Sequence, residues 1–504
     1  MSFTIRPLET VCQGVHSLCT ETRLAALQKA VPFSAIEQAL QATRVTTQRV
    51  RKLNHAITTL LVIAMSLFAG DNIGYVLERL CKGGCLLRSR CATSFARSIG
   101  ALPGDSALVY RRYQLGARPL AALFHNLCRP LAVSEQDCPS AFLFGLRLMA
   151  IDGQLIDVLD TPENTAYFGK CAGRRGKSAF AKVQALYLCE LGTHAITDAG
   201  FWPSSVSEKA VASRLLRSVT EGMLVMWDRG LWAYQRIKAA RRQGAHVLCR
   251  MPAGVKPVRE KPLPDGSSLV WIAPGKVSTV SQVNQSNQSN QSNQINTSQQ
   301  RRRRGKDCCE RMLVRLIEYT IDAPNDPQMP GRGEKYQVIT TLLDPVRYPA
   351  RTLAVAYHER WEIEVTLDEI EVHQHLYDGP LRSRKPLGVL QELYGLLIAH
   401  WAIRSVMYDA AKQAGLSPDR LSFIRALRVI QTAVRDFQIA APESFDVLYA
   451  QMLVDIALHP LPERRARSNP RAVRRQVSPF AVKKPGIHKC CQFTKSFQEA
   501  IILI

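Results

Sequence analysis

The sequence contains no apolar run long enough to cross a membrane, and no leader segment is visible at its start. Its longest apolar run, near Ala56–Ala69, has about 14 residues, whereas a membrane-spanning helix takes about 20. We expect this run to form a buried helix instead. The first residues, MSFTIRPLET, have no apolar core and no cleavage site, so no signal peptide is expected. Both absences favour a cytoplasmic protein without a membrane partner.

Cysteine is present but follows no metal-binding or disulfide pattern. Among the 14 Cys, three lie close together at Cys81, Cys85 and Cys91, with no matching pair of His or Cys nearby. The doublets at 308–309 and 490–491 place two thiols too close together to chelate one ion well. We interpret the cysteines as free thiols in a reducing compartment, with a zinc site as the alternative.

Acidic residues are scarce compared with basic ones. Lys and Arg total 66 against 42 Asp and Glu, which gives a formal net charge of +24 and a pI of about 9.7. Such a charge indicates a polyanionic partner, and the missing membrane segment favours nucleic acid. Basic clusters at Thr43–Lys52, Arg88–Arg97 and Tyr110–Arg118 are either DNA contacts or solvated surface, and the sequence leaves both open.

The N-terminal third of the chain is predicted to be helical. The composition, with 46% hydrophobic and 21% charged residues, is typical of a folded protein, and 504 residues exceed the roughly 100–200 of one domain. Apolar residues recur at helical spacing in Leu24–Ile36 and Ile57–Leu80, and Pro32 is expected to separate two helices. We therefore assign residues 1–145 to a helical N-terminal domain.

From Leu146 onward, short apolar runs predict β-strands. In chain order the predicted strands are Leu146–Ile151, Val183–Leu191, His194–Ala199, Gly222–Trp227 and His246–Met251. A Gly-Thr pair at 192–193 predicts a hairpin turn, and Ser207–Val219 and Tyr234–Gln243 predict helices. Strands joined by crossover helices indicate a mixed α/β sheet, whose first part we place at residues 146–251.

Residues 252–335 interrupt this sheet with short β-like pieces at 269–272 and 312–319. Within them, the segment 281–304 is built on a repeated Asn-Gln-Ser triplet and ends in four arginines. It has no apolar periodicity, so we predict a disordered loop.

The sheet is predicted to resume at residues 336–435. A strand over 336–344 is followed by one helix over 353–375 and a long apolar helix over 387–415. Residues 436–504 form a basic tail, because positions 464–489 contain six Arg and three Lys and no acid. We expect this tail to have affinity for phosphates.

Two aspartates follow predicted strands: Asp152 in the motif AIDG and Asp228 in the motif MWDRG. In α/β folds the strand ends carry the functional groups, so the two carboxylates are candidate ligands for Mg²⁺ or Mn²⁺. The alternative is an ordinary turn, because Asp followed by Gly is common at strand ends.

A third candidate group lies on the helix predicted over 353–375. Tyr357, Arg360 and Glu364 are offset by three and seven residues, which places them on one helix face. A structural salt-bridge network is one interpretation. Combined with the two aspartates, however, Glu364 would complete a three-carboxylate site for two metal ions, with Arg360 and Tyr357 holding a phosphate. In that case the three carboxyl carbons should lie within roughly 8 Å of a shared point.

The segment YHERWEIE, which holds these three residues, resembles the YREK signature of insertion-sequence-four family transposases. LMAIDGQLIDVLDTPEN and GMLVMWDRG are similar to the family's first and second catalytic aspartate regions, and the stretch from Arg23 to Leu80 is similar to its N-terminal domain. GTHAITDAG, LRSRKPLGVLQELYGLLIAHWAIR and LSFIRALRVI add to the resemblance. It covers about Arg23 to Arg435, with the motifs in the expected order.

The resemblance implies a ribonuclease-H-like α/β fold. The mixed sheet would be flanked by helices and split by a β-rich insertion at 252–335, and residues 1–145 would form a helical DNA-binding domain. The implied reaction is cut-and-paste transposition of an insertion sequence. Water cleaves the phosphodiester at a transposon end, and the freed 3′-OH is then joined to target DNA.

The resemblance also implies a site and partners. The catalytic, metal-binding carboxylates would be Asp152, Asp228 and Glu364, with two Mg²⁺ or Mn²⁺ ions, and Tyr357 and Arg360 would contact DNA phosphates. The partners would be double-stranded DNA, both terminal inverted repeats and target, and a second copy of the chain in a synaptic homodimer. The expected location is the bacterial cytosol, in association with the nucleoid.

One position departs from the signature. Its Lys would fall seven residues after Glu364, where this sequence has Glu371. A carboxylate there repels phosphate, so a decayed copy that only binds DNA is the alternative function. Nearby His373, Arg382 or Arg384 would then replace the phosphate contact of the signature Lys only in part. Trp271 in the insertion is either a base-stacking residue or a half-buried strand residue, and we favour the second.

Overall fold

A computed structural model describes residues 27–45, 53–80, 103–173, 176–274, 310–321, 335–374, 379–440, 442–462, 467–468, 491–492 and 501–503. The predicted loop at 281–304, the basic cluster at 88–97 and most of the basic tail lie outside these residues, as do Cys81, Cys85, Cys91 and the doublet at 308–309. None of the helices in the described ranges has the length and apolar character that crossing a membrane requires.

The internal contacts divide the chain into two compact units. The first comprises 1–218 and 359–464, and the second comprises 219–358 and 465–504. The α-helices are α1 (Phe33–Ala42), α2 (His55–Leu67), α3 (Ile73–Leu80), α4 (Asp105–Leu115), α5 (Arg118–Leu127), α6 (Pro162–Phe168), α7 (Glu208–Val211), α8 (Tyr234–Arg242), α9 (Ala350–Glu359), α10 (Trp361–Asp368), α11 (Pro386–Ala414), α12 (Phe423–Ile439) and α13 (Phe445–Ala457). The strands are β1 (Phe142–Leu143), β2 (Leu146–Val158), β3 (Ala172–Gly173), β4 (Gly176–Lys177), β5 (Ala181–Glu190), β6 (Ala195–Pro203), β7 (Met223–Trp227), β8 (His246–Arg250), β9 (Val258–Pro262), β10 (Ser268–Ile272), β11 (Met312–Ile321), β12 (Tyr336–Thr340), β13 (Arg467–Ser468), β14 (Cys491–Gln492) and β15 (Ile501–Leu503).

The N-terminal part of the first unit is helical, as predicted. Pro32 is the N-cap of α1, and the Asn54 side chain caps α2 by accepting a hydrogen bond from the Ile57 amide at 2.8 Å. Nearly every residue of α2 is buried, which confirms the buried helix expected from the longest apolar run. Helix α11 passes so close to α2 that a Cβ added to Gly395 would lie 2.9 Å from the Val62 carbonyl oxygen.

The first unit also contains an antiparallel meander of β2, β5 and β6, with β1 paired to β2. The turn predicted at 192–193 joins β5 to β6. The predicted strand end at Asp152 is wrong: β2 runs on to Val158, and Asp152 lies in its middle, opposite Tyr187 of β5. The helix predicted over Ser207–Val219 is present only as the short α7, with Ser207 as its N-cap, followed by a 3₁₀ helix at Ala212–Ser218.

The glycine in the β5–β6 turn is fixed by close packing. A Cβ built on Gly192 would lie 2.4 Å from the Ala141 amide nitrogen and 2.5 Å from the Ser140 carbonyl carbon. Both are backbone atoms, so no side-chain rotation relieves the clash. We expect Gly192→Ala to lower the free energy of unfolding by about 1–3 kcal/mol, as overpacked sites do. Urea denaturation measures this change. Gly70→Ala is the control, because no atom lies within 4 Å of its added Cβ, and an equal loss in both variants would contradict the argument.

In the second unit, β7 and β8 are parallel, and β8, β12, β11, β10 and β9 follow as antiparallel neighbours, with β15 also paired to β11. Strand β7 is buried throughout and ends at Trp227, so Asp228 stands directly after a strand, as predicted. Helix α8 joins β7 to β8. The described residues of the insertion are mainly strands, in agreement with its β-like sequence.

The single helix predicted over 353–375 is interrupted twice. Helix α9 ends at Glu359, Arg360 lies between helices, and α10 covers Trp361–Asp368. A π-helical turn then runs from Glu369 to Gln374. The next predicted helix is confirmed as α11, which ends at Gly415 in the left-handed conformation (φ 65°).

Candidate active site

Asp152 and Glu364 converge on the same guanidinium group in the first unit. Arg360 Nη1 lies 3.3 Å from Asp152 Oδ2, and Arg360 Nη2 lies 3.1 Å from Glu364 Oε1. Strand β2 supplies the aspartate, and α10 begins directly after the arginine and carries the glutamate one turn further on. Arg360 and Glu364 therefore lie close together with Asp152 beside them, but the single helix face predicted for Tyr357, Arg360 and Glu364 is broken, because one helix ends at Glu359 and the next begins at Trp361.

This group of three is partly open to solvent. The side chains of Arg360, Asp152 and Glu364 are 14%, 20% and 29% exposed, respectively. A polar ligand can therefore reach the carboxylates, while the walls of the site lower the local dielectric and strengthen their attraction for cations. Two carboxylates that share one cation form the hard oxygen donor set that Mg²⁺ and Mn²⁺ prefer.

The sheet face that holds Asp152 carries further polar groups. Tyr187, its register partner, is buried and accepts a hydrogen bond from Gln154 Nε2 at 3.2 Å. Burial raises the pKa of the Tyr187 phenol, and the Glu371 carboxylate raises it further. The exposed Glu371 is therefore near the face on which Asp152 stands.

The other predicted site residues, Asp228 and Tyr357, belong to the second unit. The half-buried Asp228 accepts a hydrogen bond from the Leu231 amide at 3.0 Å, and Gly230 leaves room for the chain to turn against its carboxylate. Tyr357 is buried, with its ring edge-on to His358 at 5.9 Å. Trp271 is half-buried on β10 and donates to Glu260 Oε2 at 2.7 Å, in agreement with the favoured strand interpretation.

Within the described residues, no three His, Cys, Asp or Glu side chains form a ready metal-binding group. Asp152 and Glu364 supply the hard oxygen donors that a divalent cation prefers, and Asp228 as the third ligand stays a prediction. The cysteines of the zinc alternative, Cys81, Cys85, Cys91 and the doublet at 308–309, lie outside the described residues, within which Cys128, Cys138, Cys171, Cys189 and Cys249 are free thiols.

Comparison with known protein families settles the class of enzyme. A family model described as the transposase DDE domain matches residues 143–402, more than half of the chain. The chain belongs to the DDE transposase family. A second model, the N-terminal domain of the insertion element 4 transposase, matches residues 21–125. The expected ribonuclease-H-like α/β fold and the helical N-terminal domain accord with these matches.

Two relatives from Escherichia coli K12 agree with this assignment. The transposase InsG for insertion sequence element IS4 is 26% identical over 382 residues, which cover 74% of this chain and 78% of that protein. The putative transposase InsZ is 24% identical over 149 residues, 29% of this chain and 49% of that one. Among solved structures, the piggyBac transposase synaptic complex with hairpin DNA matches at a TM-score of 0.38 and 10% identity, covering 88% and 86% of the two chains.

The transposase is therefore an enzyme that cuts and joins DNA strands to move an insertion sequence. Enzymes of this family bind DNA and use divalent metal ions. The predicted class, reaction and nucleic-acid partner are confirmed at this level, and nothing in the comparisons favours a decayed copy.

Proposed function

We propose that Asp152, Asp228 and Glu364 are the catalytic carboxylates of this transposase. The observation that carries the proposal is the convergence of Asp152 and Glu364 on Arg360, although 211 residues separate the two in the sequence. Asp228 is added because it follows a buried strand and because its segment resembles the family's second aspartate region.

The same carboxylates would hold two Mg²⁺ or Mn²⁺ ions. Such ions would supply charge stabilisation at the attacked phosphate and lower the pKa of a bound water. The chain's own contribution is to fix the donors: β2 holds Asp152 within a paired ladder, and α10 holds Glu364 one turn beyond Arg360.

Arg360 has a separate role in this proposal. Its planar fork presents two parallel donors, the geometry that matches a phosphate as well as a carboxylate. With DNA in the site, Arg360 would orient the scissile phosphate beside the carboxylates, and Tyr357 would contact the DNA backbone. No covalent enzyme intermediate is required, because water and then the transposon 3′-OH act as the attacking groups in successive in-line displacements.

The partners follow from the reaction. The transposase would bind the terminal inverted repeats of its own element and then a target duplex, and two copies would hold the two ends in a synaptic homodimer. Its net charge of +24 supports tight, salt-dependent attraction to the DNA backbone. The proposed location is the cytosol, in association with the nucleoid.

Strand cleavage of a transposon-end duplex tests the function. Full-length protein is incubated with Mg²⁺ and end-labelled DNA, and the products are resolved on a denaturing gel. A nick that leaves a 3′-OH at the element boundary, followed by joining to a target plasmid, is the expected result. Binding without any cleavage over a range of Mg²⁺ and Mn²⁺ concentrations would contradict the proposal and support a DNA-binding role alone.

The glutamate that replaces the signature Lys is expected to restrain activity. Glu371 is exposed and acts electrostatically on Tyr187, the register partner of Asp152, so in this proposal it would face DNA phosphates that approach the carboxylates. Glu371→Lys turns one repulsion into one attraction, each on the order of 1 kcal/mol after screening. We expect DNA binding to become tighter, or cleavage faster, by about tenfold or more, since 1.4 kcal/mol is about a factor of ten.

The matched control is Glu135→Lys, the same charge change at an exposed position on the loop before β1. Cleavage rates and mobility-shift affinities of the two variants are compared at equal salt. A similar gain in both would show that net charge alone is responsible. No gain in Glu371→Lys would show that another residue already fills the role of the signature Lys.

A further inference from the structure

A buried ionic cluster lies against the segment that carries Glu364. Its members come from three places: the β5–β6 turn, the chain around α10, and the long helix α11. They are His194, Glu362, Glu369, His400 and Arg404, and all but the partly buried Glu362 are less than one-tenth exposed. Buried charge is costly unless it is paired, so such a cluster in the interior requires an explanation.

His194 contacts the chain on both sides of Glu364. Its Nε2 lies 2.9 Å from Glu362 Oε2, two residues before, and its Nδ1 lies 3.1 Å from Glu369 Oε1, five residues after. Arg404 Nη2 lies 2.6 Å from the same Nδ1, and because a guanidinium only donates, Nδ1 accepts and the ring proton is on Nε2. The His194 imidazole thereby contacts Glu362 directly and is connected to Glu369 through Arg404.

Glu369 is held from the opposite side by α11. Arg404 donates to both of its carboxylate oxygens, from Nε at 2.9 Å and from Nη2, while His400 Nε2 donates to Oε2 at 3.2 Å. Burial opposes ionisation of Glu369, but the charge of Arg404 and the hydrogen bond from His400 hold its pKa well below the usual range. The π-helical turn begins at Glu369, so this carboxylate sits where the α-helical register of the catalytic segment changes.

Helix α10 also packs against the face of the sheet that carries Asp152. Thr366 Oγ1 lies 3.6 Å from Cys189 Sγ of β5, the register partner of Ala150, two residues before Asp152. The cluster thus ties both ends of α10 to a turn and a helix that do not themselves carry the candidate carboxylates. A small rotation of α10 would move Glu364 away from Asp152 and Arg360.

We propose that His194 and Glu369, bridged by Arg404, are positioning residues that set the orientation of the Glu364 carboxylate toward its metal ion. The proposal rests on the function proposed above, in which Glu364 is a metal ligand. Positioning groups of this kind change metal affinity or activity by about 10–100-fold when they are altered.

His194→Asn is the first test. His194 has a positive φ of 58°, a conformation that Asn adopts readily, so the turn is retained while the reach of the imidazole is lost. In full-length protein we expect Mn²⁺ affinity, measured from the electron paramagnetic resonance signal of free Mn²⁺, to fall about tenfold. The kcat for end cleavage should fall by a similar factor, and the KM for DNA should stay the same.

Glu190→Gln is the matched control. Glu190 is fully buried at the end of β5 and pairs with Arg147, Thr193 and the amides of residues 131 and 132, so it belongs to a comparable ionic group on the same hairpin. We expect a lower melting temperature with unchanged Mn²⁺ affinity. If His194→Asn behaves in the same way, its role is merely structural and the proposal is overturned.

Two further variants keep the outcomes separate. Glu362→Gln weakens the contact between His194 and Glu362 at the solvent side of the cluster. It replaces His194→Asn if that variant does not fold, and the same tenfold loss of Mn²⁺ affinity is expected. Glu364→Gln tests the underlying function: unchanged Mn²⁺ affinity in that variant would overturn the function proposed for Glu364. If Glu364→Gln loses Mn²⁺ affinity while His194→Asn and Glu362→Gln keep it, only the positioning role is overturned.

Discussion

Asp152→Asn is expected to lower the rate of transposon-end cleavage by on the order of a thousandfold, the cost of removing one preorganised electrostatic group from a polar transition state. The substitution keeps the size of the side chain but removes the charge that attracts a divalent cation. At about 1.36 kcal/mol per factor of ten, the loss corresponds to about 4 kcal/mol of transition-state stabilisation. Single-turnover cleavage of a labelled end duplex at saturating Mg²⁺ measures it.

The fold should tolerate this change. Asp152 is partly exposed, and Arg360 keeps its second partner, Glu364, at 3.1 Å, so the substitution leaves no buried charge unpaired. Asp157→Asn is the matched control, because Asp157 lies on the same strand, faces the opposite side of the sheet and pairs with Lys182 at the surface. Loss of cleavage in both variants, or in neither, would refute the assignment of Asp152.

Arg360→Lys is expected to reduce cleavage by about tenfold to a hundredfold. Lysine keeps the charge but has no planar fork, so one ammonium cannot reproduce two parallel contacts to a phosphate or to two carboxylates. Hydrogen bonds to charged groups contribute about 1.5–3 kcal/mol each, which gives the stated range when one is lost. The reduction should appear in kcat/KM for cleavage, with the melting temperature nearly unchanged.

The control for this change is Arg435→Lys, a replacement of the same type at an exposed position of α12. It should leave cleavage as it is. If Arg360→Lys also cleaves at the original rate, Arg360 serves only to balance the charges of Asp152 and Glu364. The phosphate contact must then be assigned to other residues.

The spacing of the motifs in the sequence was enough to find the residues around Arg360, but not the local backbone. The apolar run of β2 stops at Ile151 because the strand from Asp152 onward carries polar groups, Gln154 and Asp157 among them. Periodicity therefore predicted a strand end where the strand continues to Val158. The strand runs on because β5 pairs with it over its whole second half, a non-local contact that no short window reveals.

The helix breaks around Glu364 were unpredictable for a similar reason. Nothing in the residue pattern of 353–375 requires a π-helical turn at Glu369. The turn coincides with ionic contacts supplied by the β5–β6 hairpin and by α11. One signal was available: His400 and Arg404, four residues apart, stand in the otherwise apolar run LLIAHWAIRSVM, and polar residues on such a face need a buried partner.

The separation of Asp152 and Glu364 along the chain also determines when, during synthesis, the enzyme gains the ability to cleave the DNA of its host cell. Glu364 is synthesised 212 positions after Asp152. At about 5–20 residues per second, a ribosome needs about 10–40 s to cover that interval. On the proposed assignment, a nascent or prematurely terminated chain carries the N-terminal domain, which is proposed to bind DNA, but lacks a complete catalytic site. Host DNA is thus exposed to the nuclease activity only after most of the polypeptide has been made.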